Sequence, residues 1–285
     1  MIRFSHATSQ FLQYLRTMER SPETIRSYGE HFKQLGAYLN NHTNGPLYVD
    51  DVTVETLRTY LHYLRMERHY TPASQAHVLH TLRSFYRYLS QQNLAQDVTR
   101  FIDPIRVPQK ERRYLNDADV RQLAVAMPTP LLQLVTRFLF YTGLRISECL
   151  RLTVGDVDLT TRVIHVRGGK EYQDRTVPIA RPLYDELANY VAARPAMSSS
   201  LFFVTARTGQ LSHAYVNQRL KAVARQLEFP YEVTAQTLRH SFARRVLAQG
   251  VSLSRLQQWL GHASVATTIL YAPSLPEERS WEGVQ

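Results

Sequence analysis

The stretch Ile102-Asp103-Pro104-Ile105-Arg106-Val107-Pro108-Gln109-Lys110-Glu111-Arg112-Arg113 limits what this chain can fold into. Each proline fixes its own φ, removes a backbone donor and disfavours helix at the residue before it, and the charges that follow favour water. A single core running through this seam is therefore not expected. The chain divides into a domain over 1–102, a linker over 103–115 and a domain over 116–285, and 285 residues suffice for two cores.

Before the seam the pattern is helical. Ser21-Pro22-Glu23 reads as a cap with proline at the first helical position, followed by Ile25, Tyr28, Phe32, Leu35 and Leu39 at three- and four-residue steps. Thr71-Pro72 opens a second helix in the same way, with Val78, Leu79, Leu82, Phe85, Tyr86 and Leu89 on its apolar side. Arg83 and Arg87 lie one turn apart on another face. Their spacing fits a solvated surface and a polyanion contact equally well.

After the seam, helices are interrupted by Val163-Ile164-His165-Val166 and Arg175-Thr176-Val177-Pro178-Ile179, which predict a hairpin with a long turn holding Gly168, Gly169 and Lys170. That turn is no nucleotide loop, because Glu171 and Ile164 stand where a P-loop needs Ser or Thr and glycine. A short helix is expected over Ser147–Leu152 with Ser147 as its cap. Glu148 follows Arg145 by three residues, close enough to hold the guanidinium, and is equally an acid suited to a helix N-terminus. Leu238, Phe242 and Val246 recur as a core face, which leaves Arg239 about 100° away at its edge, within reach of a ligand. Cys149 reads as a small buried residue, with no neighbour that marks a reactive thiolate.

The formal net charge is +10, shared equally by the segments before and after residue 116, so both can face a polyanion. A single cysteine, no apolar run long enough for a bilayer and no cleavable signal at Met1-Ile2-Arg3-Phe4-Ser5 lead to the expectation of a cytoplasmic protein without a membrane partner.

The chemistry is concentrated in three motifs: Thr142-Gly143-Leu144-Arg145-Ile146-Ser147-Glu148, Thr237-Leu238-Arg239-His240, and the run from Leu260-Gly261-His262 to Leu270-Tyr271. Arginine presents a planar fork that matches two phosphate oxygens and stays charged, so Arg145 and Arg239 suit a scissile phosphate. A phenol titrates near pH ~10, so Tyr271 as a nucleophile needs a proton acceptor or positive potential beside it. No zinc spacing, His-Glu-x-x-His helix or acidic cluster occurs, so no metal and no cofactor are expected.

These residues, in this order, resemble the tyrosine recombinase (phage integrase) family, and the likeness covers most of the chain. The resemblance implies a mainly α fold: a helical N-terminal core-binding (SAM-like) domain that grips DNA, and a mixed α/β, mostly helical catalytic domain. It further implies a site-specific recombinase that cleaves and rejoins DNA through a 3′-phosphotyrosyl link on Tyr271 and a four-way junction, without ATP. Lys170, at the hairpin tip, fits the family's general acid. The partners implied are double-stranded recombination sites, with a homo-tetramer on two sites and a monomer or weak associate when free. Trp281 in the tail either docks into a neighbouring subunit or folds back.

One position departs from the family pattern. The family has His, sometimes Lys, three residues before the second arginine, where this chain has Gln236, and His240 is out of register with it. Glutamine donates a hydrogen bond but neither accepts the tyrosyl proton as imidazole does nor adds charge. A non-cutting DNA-binding protein on the same scaffold therefore stands as an alternative, as does a type IB-like topoisomerase, which shares the family's chemistry.

Overall fold

The computed structural model describes every residue except 42–44, 109–112, 169–173, 195–198, 206–208 and 262–285. Its contacts divide the chain into two compact units, Met1–Lys110 and Glu111–Gln285.

The first unit is built on α1 (Phe4–Thr17), α2 (Pro22–Asn40), α3 (Val54–Met66) and α4 (Pro72–Gln91). The openings of α2 and α4 follow directly from sequence: Ser21 Oγ accepts from the Thr24 N–H and Thr71 Oγ1 from the Ser74 N–H, both at 3.2 Å, with proline next where no donor is needed. The apolar side of α4 forms the middle of the core, with Leu82, Phe85, Tyr86 and Leu89 fully enclosed. Each such side chain contributes about 1.5–3 kcal/mol by leaving water. Of the α4 arginines, Arg87 is exposed, whereas Arg83 is half-buried and donates through Nη2 to the Ile102 carbonyl at 2.6 Å. Arg83 thus ties down the backbone where the chain leaves the helical core, so the two arginines are not an equivalent surface stripe.

The second unit contains α5 (Asp117–Val125), α6 (Pro130–Thr142), α7 (Ile146–Arg151), α8 (Arg181–Ala193), α9 (His213–Gln226), α10 (Ala235–Ala248) and α11 (Leu253–Leu260). Strands β1 (Val157–Asp158), β2 (Val163–Val166) and β3 (Arg175–Pro178) form an antiparallel sheet in that order. In the hairpin, Ile164 faces Val177 and His165 faces Thr176. Ile164, Val166 and Val177 point into the core and His165 outward, the period-two alternation that spacing predicts. β1 is not foreseen, because two residues are too short for a periodic signal.

Apolar nearly all round, α6 is enclosed accordingly, with Val135, Phe138, Leu139 and Phe140 buried between neighbouring helices. It stops at Gly143, whose left-handed backbone (φ 65°) turns the chain sharply into Arg145 and α7. The helix that follows begins at Ile146, one residue before the expected Ser147 cap. The N-cap is Arg145 instead of Ser147, and Glu148, at the third helical position, accepts the Arg145 backbone N–H at 2.7 Å.

The turn at Gly143 is closed by α10, where a Cβ on Gly143 would overlap the Phe242 ring. Gly143→Ala is expected to destabilise the second unit by about 2–4 kcal/mol, combining left-handed strain with overpacking, in equilibrium denaturation. Combined with Phe242→Ala the losses should be less than additive, because the blocking ring is gone.

Candidate active site

Glu148 is a carboxylate in an almost closed setting, its side chain 6% exposed. Its Oε2 accepts from the Arg145 backbone N–H and from Arg175 Nη2, both at 2.7 Å. Oε1 accepts from Arg145 Nη1 at 3.0 Å and Arg175 Nη1 at 3.1 Å, and Arg239 Nη1 lies 3.9 Å from Oε2. Burial by itself would raise the carboxyl's pKa, but the hydrogen bonds and charge of Arg175, followed by those of Arg145, outweigh it and hold the group below its ordinary value. Glu148 is therefore ionised at neutral pH.

Three guanidinium groups around one carboxylate leave a surplus of two positive charges. The Arg145 side chain is 29% exposed, against 7% for Arg175 and 2% for Arg239, so Arg145 carries that surplus to the surface. The contact expected from the three-residue spacing of Arg145 and Glu148 is present.

Helical phase puts Arg239 at an edge within reach of a ligand, but α10 turns that edge inward. Arg239 Nη1 donates to the Gly143 carbonyl and Nη2 to the Leu260 carbonyl, each at 2.7 Å. The α6–α7 turn and the end of α11 cover it, which a reading of α10 alone does not register.

Arg175, the first residue of β3, was not singled out from sequence. A signal existed: two residues before the buried Val177, the alternation places Arg175 on the inward side of the strand, where a charge is tolerated only if paired. Besides Glu148, it reaches the Trp259 carbonyl through Nε at 2.7 Å.

Gln236 is exposed in the first turn of α10. His240 follows one turn later and the two side chains meet, Nε2 to Nε2, at 3.4 Å. His240 does not occupy the position of Gln236, yet it shares its face. Cys149 is fully buried, which pushes its thiol pKa well above the ordinary range and keeps it protonated. Lys170, His262, Tyr271 and Trp281 lie outside the described residues. On either side of 169–173, the Gly168 N–H donates to Asp174 Oδ1 at 2.7 Å.

Comparison with known proteins adds independent evidence. The phage integrase family profile matches residues 113–278, more than half of the chain. The chain belongs to the phage integrase family. A second profile, the phage integrase N-terminal SAM-like domain, matches residues 8–96. The chain is 30% identical to tyrosine recombinase XerA of Pyrococcus furiosus, over 94% of this chain and 89% of the relative. The crystal structure of XerA recombinase aligns with 96% of this chain and 95% of its own at 27% identity and a TM-score of 0.53. The Tn1549 transposon integrase in complex with a circular intermediate DNA shares the fold, with a TM-score of 0.77 at 15% identity over 97% of both chains. The phage integrase member described here is a tyrosine site-specific recombinase, mainly helical, with a SAM-like N-terminal part. Among the described residues no helix is long and apolar enough to cross a membrane.

Because the folded Glu148 carboxyl titrates below its ordinary 4.5, the stability it contributes is present above that pH and is lost as pH falls through the folded value. Glu148→Gln should therefore melt below the wild type at pH 7, and the gap between their melting temperatures should narrow steadily below about pH 4.5. A gap independent of pH in thermal melts would contradict this.

Proposed function

We propose that this recombinase cleaves and rejoins double-stranded DNA at paired recombination sites through a covalent link on Tyr271. The arginine surplus around Glu148 carries the reading, since it presents Arg145 beside a rigid, positively charged setting. Arg145 engages a non-bridging oxygen of the scissile phosphate. Arg239, held by its carbonyl contacts beside Glu148, adds its positive charge to the field at the same phosphate, and His262 adds a further donor.

In the reaction, the Tyr271 oxygen attacks phosphorus, the bond from phosphorus to the 5′ oxygen breaks, and Lys170 gives its proton to that leaving oxygen. The 5′-hydroxyl of a partner strand then attacks the 3′-phosphotyrosyl link and releases the tyrosine. The phosphotyrosyl bond conserves the energy of the broken one, so rejoining needs neither ATP nor a ligase, and no metal is invoked. Gln236 donates a hydrogen bond to the phosphate, while the tyrosyl proton passes to solvent water, its loss favoured by the arginine field that lowers the phenol's pKa. On rejoining, the 5′-hydroxyl returns its proton to Lys170 and the released tyrosinate takes one back from water.

The helical domain over 1–102 and the catalytic domain over 116–285, joined by 103–115, each contact the duplex, with Arg87 and Arg83 of α4 on the side of the helical domain that meets the DNA backbone. Four chains act on two sites through a four-way junction, the free chain being monomeric or weakly associated, and the reaction takes place in the cytoplasm. The DNA complex of the Tn1549 integrase, which shares the fold, supports DNA as the partner.

The test incubates the protein in chelator with nicked duplexes that tile the DNA around its gene. An SDS-resistant protein–DNA adduct is expected with the wild type and none with Tyr271→Phe. Tight binding without an adduct would instead favour the non-cutting reading that Gln236 suggests, and, on a supercoiled plasmid carrying the cleaved sequence, relaxed circles without exchanged strands would favour a topoisomerase. Gln236→His should speed adduct formation by about tenfold or more, since positioned general bases typically contribute ~10²–10⁴.

A further inference from the structure

The last turn of α11 ends without any orphaned carbonyl. Gly261 N–H bonds to the Gln257 and Gln258 carbonyls, Arg175 Nε serves that of Trp259, and Arg239 Nη2 that of Leu260. Two positive charges at a helix C-terminus also oppose the negative end of its dipole. Gly261 adopts a left-handed backbone (φ 63°), and a Cβ there would lie 3.0 Å from Arg175 Cζ and Nη1. The bare Cα lets the guanidinium pack directly against the chain.

We propose that Arg175 is a positioning residue for strand cleavage: clamped between Glu148, the Trp259 carbonyl and Gly261, it sets the orientation of Glu148, and through Glu148 that of Arg145, while fixing the end of α11 to the same cluster. The inference rests on the recombinase reading above and adds a residue to it. Arg175 does not itself touch DNA, because its side chain is 7% exposed and Nε, Nη1 and Nη2 all donate to protein oxygens. Its two Nη atoms take both Glu148 oxygens in a parallel fork, so the carboxylate cannot rotate, and the same two oxygens hold Arg145 by its side chain and its backbone. Lysine keeps the charge but cannot make the fork or serve the Trp259 carbonyl at the same time.

The experiment measures single-turnover adduct formation on nicked duplex with the full-length protein in excess, together with DNA affinity and melting temperature. For Arg175→Lys the saturating rate should fall about 10–100-fold, the usual cost of losing a partner that orients a reacting group, with half-saturation moved less than about threefold. Gly261→Ala pushes the same guanidinium from the opposite side and should slow the same step, which keeps the test open if Arg175→Lys folds poorly. Arg175→Lys combined with Glu148→Gln should lose less than the product of the single losses, since both act along one path. Wild-type rates in Arg175→Lys and Gly261→Ala, a loss confined to DNA affinity, or fully multiplicative losses with Glu148→Gln would each overturn the inference while leaving recombination intact. Absence of any Tyr271-dependent adduct with the wild type would remove both readings together.

Discussion

In the second unit, the start of α7, β3 and α10 converge on a buried carboxylate, Glu148, that is surrounded by arginines. Taking Glu148 and Arg175 out of water costs several kcal/mol per ion, and the cost is offset only if every oxygen and nitrogen is matched. The matching is supplied by distant parts of the chain: α7 and its N-cap residue bring Glu148 and Arg145, β3 brings Arg175, and α10 brings Arg239. The left-handed turn at Gly143, the packing of α10 over it and the glycine at the end of α11 all allow those elements to approach so closely.

The asymmetry of exposure among the arginines is as informative as their number. Arg175 and Arg239 are enclosed and bonded to backbone carbonyls, so they hold the site in shape, whereas Arg145 extends part of its guanidinium outward. A rigid array of charge that needs little rearrangement when a phosphate arrives stabilises developing negative charge more effectively than mobile surface groups do. The same closure explains why Cys149, next to Glu148 in the chain, stays inert: it lies on the core side of α7.

Much of the local structure was legible in the residues. The Ser21-Pro22 and Thr71-Pro72 openings, the apolar stripe of α4 and the alternation in β2 and β3 each depend on neighbours within a turn or a strand, and each appears where the spacing puts it. The exceptions share one cause. Arg83 bonded to a carbonyl nineteen residues on, and Arg239 was enclosed by segments far from it in sequence. In every case a partner outside the local window won.

By itself the sequence determined the proline-marked helix openings, the β2–β3 hairpin and the identity of the chemical groups, because caps, prolines and periodicity act over a few residues and side-chain chemistry is fixed by residue type. Only the tertiary structure decided which arginine faces outward and which two serve as braces, and that Arg175 belongs to the cluster at all. Charge pairing across 27 residues, from Glu148 to Arg175, and carbonyl bonds across 84, from Arg175 to Trp259, are set by how helices and strand pack, and no local pattern encodes that distance.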